Sequence, residues 1–371
     1  MDEVSFGIEE EYFLIHARTR EVVAELPEAF LGECRRAFGR AFSQELFAGQ
    51  VEIATPVLHC LREAQSFLLD GRQRLIDIAG RHEMELLCAG SHPLSSWEDV
   101  PLAASEHYRQ LGDDYRLIAR QSLLCGLHVH VGLPGQEDRI GALNAALPWL
   151  PFLLGLSASS PFWRGRDTGL KSFRRALCGE WPRMGMPPHL QDEAEYRRQA
   201  GRLCAAGALR SMGEIWWFIR PSARYPTLEL RIMDACPRLA DTLCLAGLFR
   251  SLLAAGIGRK HAATAERLEI EENYWRAQQQ GCAGGFVEAD RLIPATQILE
   301  HWPRAGDSEE WLRCRDHAAT ILRQGCSADR QRETLRAALA TGADRGSAMQ
   351  AVVAALVDET RAPEGLLPPI A

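Results

Sequence analysis

Four short stretches of this chain carry one pattern, apolar side chains on alternate residues with ionisable ones between them. They are FGIEEEYFLI (6–15), QVEIA (50–54), CGLHVHVG (125–132) and TLELRIMD (227–234). Side chains alternate across a β-strand, so each stretch can bury one face and present the other. A fold built on such strands needs helices to cover the apolar faces and positive charge to balance the polar ones.

In the first stretch Phe6, Ile8, Glu10, Tyr12 and Leu14 share a face, while Gly7, Glu9, Glu11, Phe13 and Ile15 share the other. Glu9 and Glu11 thus sit side by side, which calls for open solvent or for a positive partner such as a metal ion. Glu10 falls on the apolar side, where a basic residue of the helical layer is its expected partner and no catalytic part is expected. His128 and His130 share a strand face, and neutral imidazole is a common metal ligand. His130 stays open between ligand and structural or substrate-contacting roles, because adjacent same-face residues seldom both reach one ion.

Glu229 and Arg231 adjoin on the polar face of the fourth stretch, and the neighbouring IRPSARYP adds Arg220 and Arg224. A surface ion pair is the plain reading of that pair. Arginine forks, however, also suit phosphates and carboxylates. Glu45 and Glu52 have opposite parity on an unbroken strand, so Glu45 joins Glu52 only if the chain bends at Gly49. A sheet face that gathers Glu9, Glu11, Glu52, His128, Glu229, Arg220 and Arg231 would suit hard cations and phosphate. Carboxylates outnumber histidines, which favours magnesium or manganese over zinc. No P-loop and no dinucleotide-binding glycine motif is present, so a nucleotide would be held by metal and arginine.

The 371 residues, 46% apolar and 25% charged, describe an ordinary globular chain, and a net charge of −7 gives no global attraction for nucleic acid or anionic membrane. The first residues lack a secretion signal, which places the chain in the cytoplasm. Eleven cysteines without a C-x-x-C pair read as reduced core fillers. The apolar run IGALNAALPWLPFLLGLSASSPFW is broken by Asn144, Pro148 and Pro151 and reads as a buried helix entering a loop.

Periodicity gives strands near 4–15, 42–54, 84–90 and 122–133, strands at 214–221 and 227–235, and helices near 61–82, 103–120 and 136–160. Residues 161–190, rich in Gly, Pro, Trp and Arg, read as a long binding loop. From about 240 the chain is mostly helical, with one loop at GCAGGFVEADRLIP (281–294). The fold class is α+β, with strands paired antiparallel and helices packed on one face.

Several stretches resemble the type 2 glutamate–cysteine ligase family, with the carboxylate–amine ligases grouped in it. They are FGIEEEYFLI, QVEIATPV, CAGSHP, CGLHVHVGLP, PWLPFLLGLSASSPFWRGRDTG, RPSARYPTLELRIMDAC and ENYWRAQQQG. The resemblance implies one catalytic domain over residues 1–371 with the glutamine synthetase catalytic fold, a curved antiparallel sheet binding ATP with two or three Mg²⁺ or Mn²⁺ ions. The implied reaction joins a small carboxylate, glutamate in the family name, to an amine through an acyl phosphate. Glu9, His128 and Glu229 resemble the ligands of one ion, and Glu11, Glu52 and Glu45 those of another. His130 would lie near the nucleotide, and Arg220 and Arg231 near the transferring phosphoryl. The loops at 161–190 and 273–290 would shape the acceptor pocket. A homodimer is expected from family habit and the apolar C-terminal helices. Two other readings of the same residues are a metal-dependent amide hydrolase and a non-catalytic nucleotide-binding relative.

Overall fold

A computed structural model describes residues 4–134, 138–257, 266–362 and 365–366. Strands β1 (Phe6–His16), β2 (Phe42–Gln44), β3 (Gln50–Ala54), β4 (Met84–Leu87) and β5 (Gly126–Gly132) precede a separate two-stranded hairpin of β6 (Phe162–Trp163) and β7 (Arg166–Asp167). Strands β8 (Ile219–Pro221) and β9 (Thr227–Asp234) return to the main sheet, and β10 (Phe286–Glu288) and β11 (Arg291–Ile293) form another hairpin. The main sheet runs β2-β3-β1-β5-β9-β8 and every pairing in it is antiparallel. β5 lies against Phe6–Glu10 of β1, and β4 against Phe13–His16.

Alternation in β1 holds as far as Tyr12, with Phe6, Ile8, Glu10 and Tyr12 buried and Gly7, Glu9 and Glu11 half-buried. Phe6 and Ile8 join Leu127, Val129, Val131, Leu228 and Leu230 in a core closed by helices Leu150–Ser157, Leu239–Gly256 and Glu309–Gln324. Tyr12, Leu14, Val51 and Ile53 join a second core with helices Leu61–Arg81 and Arg345–Arg361. Helix Leu239–Gly256 is buried from Leu239 to Ala255, as a helix apolar on all sides must be. It and Arg139–Ser157 are apolar enough to cross a membrane by composition, yet 94% and 78% of their windows are buried inside the fold. All eleven cysteines are free.

Glu10 is the polar exception on the apolar side. Arg72 of helix Leu61–Arg81 donates to it through Nη2 (2.6 Å) and Nε (3.1 Å), Thr242 Oγ1 donates at 2.8 Å, and the Tyr12 hydroxyl makes a short contact. Arg72 also donates to the carbonyls of Pro237 (2.6 Å) and Cys236 (3.0 Å). Both members are almost fully buried, so the pair is tolerable only because nearly every donor and acceptor is met.

Several expected boundaries move. The strand expected at 42–54 is a hairpin, with β2 and β3 joined by a turn in which Gln50 N donates to Phe47 O (3.0 Å). A side chain at Gly49 would meet the Val23 carbonyl at 2.3 Å, so only glycine lets the turn pack there. Glu214, expected to open a strand, ends a short 3₁₀ turn at Met212–Glu214; Ile219–Pro221 pairs with β9, and Trp217 makes an isolated bridge to Gly185. The expected loops at 161–190 and 281–294 contain β6, β7, helix Phe173–Cys178, β10 and β11. The helix expected at 103–120 splits into Glu106–Tyr115 and Leu117–Arg120. That at 136–160 becomes Arg139–Ala146 and Leu150–Ser157 around Pro148 and Pro151, with residues 136 and 137 outside the described part.

Breaking the Glu10–Arg72 pair from one side should leave an uncompensated buried charge. Arg72→Met is expected to lower unfolding free energy by about 3–5 kcal/mol in urea denaturation. Stability equal to the parent protein would show that the pair does not hold the layers together.

Candidate active site

The polar face of the sheet brings together residues from β1, β3, β5, β8 and β9. Glu9 lies directly across from His128 and Glu11 from Glu52, while His130 lies across from Glu229 and Glu229 from Arg220. Glu9 sits between both histidines, with Oε2 3.3 Å from His128 Nδ1 and Oε1 3.3 Å from His130 Nε2. Glu11 Oε1 lies 3.6 Å from His128 Nε2, and its Oε2 accepts the Gly126 N–H at 2.6 Å. His130 Nδ1 is paired with Thr227 Oγ1 at 2.9 Å.

The hairpin settles the parity question left open for Glu45. Ser43 lies across from Glu52 and contacts it at 3.3 Å, and Glu45 N donates to Gln50 O (3.0 Å), so Glu45 and Glu52 share a side. Tyr108 donates to Glu45 Oε2 at 3.4 Å.

Two three-residue groupings bring their ligand atoms within 4.8 Å of one another: Glu9, Glu52 and His128, and Glu9, His130 and Glu229. The grouping implied by the resemblance put His128 with Glu229. In the register Glu229 lies across from His130, and His128 across from Glu9; β9 carries an extra residue between its contacts with Leu127 and Val129.

Arg220 is fully engaged. Its Nε and Nη2 donate to Glu229 (2.8 and 3.1 Å) and its Nη1 to the carbonyls of Gly213 (2.7 Å) and Ile215 (2.8 Å). All three of its nitrogens are thus taken by protein acceptors, two of them on Glu229. Arg231 also pairs with Glu229 through a short contact of its Nη1, and is more exposed than Arg220.

Electrostatics divide the carboxylates. Burial opposes ionisation of Glu9, yet hydrogen bonds and charge from His128 and His130 hold it well below the usual carboxylate range. Glu229 is likewise held low against its burial by Arg231 and Arg220. Burial, followed by the charges of Glu11 and Glu9, pushes Glu45 up to about 8. Glu52 rises for the same reasons, burial first and then Glu45, Glu9 and Glu11. His128 is pushed down by burial and by Arg231. Five carboxyl groups and two imidazoles thus converge with too little positive charge to ionise all of them. An oxygen-rich donor set of this kind fits magnesium or manganese.

Cavities flank Glu9 and Glu11. One, of about 260 Å³, is lined by Glu11, Glu45, His128 and Arg231 at the cluster and by Arg174, Arg175 and Trp181 beyond it. The other, also about 260 Å³, borders Gly7, Glu9, Pro56, Val57, His130 and Tyr225. A larger groove of about 810 Å³ lies among helical residues including Arg330 and Glu359, which pair with each other at 2.7 Å, and it includes none of the strand residues.

Sequence reasoning missed Tyr108, Arg174, Arg175, Trp181 and Trp216. For Arg174, Arg175 and Trp181 the signal was the Arg-Arg and Trp content of the loop at 161–190, without a means of placing it, while Tyr108 and Trp216 lie outside that loop. Asp234 at the end of β9 supplies that means. Fully buried, it accepts from Ser159 N (3.0 Å), Ser160 Oγ (2.7 Å) and Ser172 Oγ (2.8 Å), which pins the segment leading into helix Phe173–Cys178. A Cβ at Gly126 would come within 2.2 Å of Arg174 Nη2, so that glycine gives the guanidinium its place beside His128. Of the second expected loop, 273–290, residues 273–280 belong to helix Arg267–Gln280, whose Tyr274 packs on Phe218 at 4.9 Å, the ring over which Arg175 lies.

The profile described as Glutamate-cysteine ligase family 2 matches residues 5–355. A Pseudomonas paraeruginosa protein named "Putative glutamate–cysteine ligase 2" is 46% identical over 362 residues, covering 95% of each chain. One of the same name from Ectopseudomonas mendocina is 45% identical over 371 residues, covering 97% of this chain and 98% of that protein. Among solved structures, a Francisella tularensis glutamate–cysteine ligase in complex with AMP aligns with a TM-score of 0.69 at 12% identity, over 99% of this chain and 91% of that one. A bifunctional glutathione synthetase from Pasteurella multocida aligns with a TM-score of 0.65 at 15% identity over 96% of this chain, which spans 52% of its length. These two likenesses carry the fold.

The raised pKa of Glu45 has a readable consequence. Its folded value of about 8 lies above the ordinary 4.5, so stability present below pH 4.5 is withdrawn as pH rises toward 8 in the absence of divalent ions. Adding Mn²⁺ should restore that stability and expel protons. Calorimetric titration near pH 7 in buffers of different ionisation enthalpy should reveal the release, and Glu45→Gln should reduce it. Binding without proton release would count against the cluster as the ion site.

Proposed function

The chain belongs to the glutamate–cysteine ligase family 2, and on that footing we propose that it joins a small carboxylate to an amine at the expense of ATP, through an acyl phosphate. Glutamate is the acid to which the family name points, and the whole chain acts as one catalytic unit. The observation that carries this reading is the single sheet face on which Glu9, Glu11, Glu45, Glu52, His128, His130, Glu229 and Arg231 meet between two cavities.

Glu9, His130 and Glu229 form the holder of one divalent ion, and Glu9, Glu52 and His128 that of another, with Glu11 and Glu45 on its substrate side. Magnesium or manganese, when bound, neutralises phosphate charge and aligns the γ-phosphate with the attacking carboxylate. The nucleotide takes the cavity bordered by His130 and Tyr225, and the acid takes the one that reaches Arg174 and Arg175. Arg231 faces the charge that spreads over the transferring oxygens. Arg220 serves as a positioning residue that keeps Glu229 ionised and oriented, a different task from the phosphoryl contact expected of it.

Two outcomes test this reading. ATP should bind far more tightly with Mg²⁺ than in EDTA, since no glycine-rich cradle holds its phosphates, and equal affinity would refute the metal-dependent site. Glutamate labelled with ¹⁸O in its side-chain carboxylate should pass label to inorganic phosphate in a single turnover. The carboxylate oxygen becomes the bridge of the acyl phosphate and leaves with the phosphate when the amine attacks. Unlabelled phosphate would rule that route out and leave hydrolysis by an activated water.

A further inference from the structure

The ring of His130 is held by a single turn. Between β8 and β9 the stretch SARYPT (222–227) closes on itself. Ser222 N donates to Thr227 O (2.9 Å), and Ser222 Oγ accepts from the N–H groups of Arg224 (3.3 Å) and Tyr225 (3.2 Å). A serine that caps its own turn in this way fixes the residues that follow it. Two of those residues touch the imidazole. Tyr225 stands edge-on to it, with ring centroids 5.8 Å apart and planes at 88°, and Thr227 Oγ1 lies 2.9 Å from its Nδ1.

The other ring nitrogen is left over. Nε2 has no well-directed hydrogen bond among the described residues, since Glu9 Oε1 at 3.3 Å lies off its axis. His130, Glu9 and Glu229 bring ligand atoms within 4.8 Å of one another, and with Nδ1 taken by Thr227 the atom His130 has to offer is Nε2. A neutral imidazole carries one ring proton. When Nε2 binds an ion that proton must sit on Nδ1, where a buried N–H without an acceptor would weaken binding. Thr227 Oγ1 is placed to accept it. His128 has no such hydroxyl among the described residues, for its Nδ1 and Nε2 both face carboxylates, Glu9 at 3.3 Å and Glu11 at 3.6 Å.

We propose that Thr227 is a positioning residue that makes His130 an ion ligand, holding the ring with its proton on Nδ1 and its Nε2 lone pair toward an ion shared with Glu9 and Glu229. The inference rests on the ion-binding part of the ligase reading and deepens it. One of the two ion positions has a hydroxyl behind its histidine, and the other does not. The cavity bordered by Glu9, His130, Tyr225 and Thr227 gives that ion its approach.

The test uses the whole chain with metal alone, without nucleotide or substrate. Mn²⁺ titration followed by electron paramagnetic resonance should report two classes of site. Thr227→Val, which keeps the shape and loses the hydroxyl, should weaken one class about 10–100-fold and leave the other near its parent affinity. Thr227→Ser, which keeps the hydroxyl, should restore the lost affinity. Long-range ¹H–¹⁵N spectra with Mg²⁺ bound should show the His130 ring, identified by its loss in His130→Gln, with its proton on Nδ1.

Unchanged Mn²⁺ affinity in Thr227→Val, equal weakening of both classes, or a His130 proton on Nε2 in the Mg²⁺-loaded protein would overturn the proposal. A loss confined to ATP affinity, with Mn²⁺ binding intact, would assign the hydroxyl to the nucleotide and overturn it as well. None of these outcomes touches the ligase reading, which the ¹⁸O experiment decides separately. Ion binding that depends on Thr227 in a protein that forms no amide would uphold the positioning role and sink that reading, and a protein that binds no Mn²⁺ would sink both.

Discussion

The buried pair between Glu10 and Arg72 decides which way the first strand faces. Because the charge of Glu10 is met by a helix on the apolar side, Glu9 and Glu11 have only the opposite side open to them. A slip of one residue would turn Glu9 and Glu11 toward the apolar core of Leu127, Val129 and the helices, and would bring Phe6 and Ile8 to the polar face. The pair therefore does more than stabilise. It ties β1 to helix Leu61–Arg81 and, through Thr242, to helix Leu239–Gly256, so the strand that donates Glu9 is clamped from beneath by two helices.

Above that strand the logic is reversed. On the polar face the charges are deliberately unbalanced, with Glu45 and Glu52 forced toward their neutral forms by burial and by one another while Glu9 and Glu229 stay ionised through histidine and arginine contacts. The sheet supplies rigid ligands at fixed spacings, whereas the segment pinned by Asp234 supplies the cavity wall. Chemistry and selectivity are thus carried by different parts of the chain, the first by cross-strand register and the second by a loop and a six-residue helix.

Much of this was legible in the sequence because strand parity is a strict period. The faces of Glu9, Glu10 and Glu11, the shared face of His128 and His130, and the adjacency of Glu229 and Arg231 all follow from it. Parity fails where the chain turns or bulges. The side taken by Glu45 depends on how the turn before β3 packs at Gly49 against Val23, a contact between residues far apart in sequence. The partnership of His130 with Glu229 depends on the extra residue in β9, which also puts the consecutive Ile232 and Met233 into one core. Arg174 and Arg175 were visible as residues but not as a site, since their place is set by Asp234 and by what is missing at Gly126.

That missing side chain leaves the space that the guanidinium of Arg174 fills. A methyl group at 126 would come within 2.2 Å of its Nη2, so the arginine end would have to swing away from His128 to admit it, and this wall of the cavity would be redrawn without any change in the sheet.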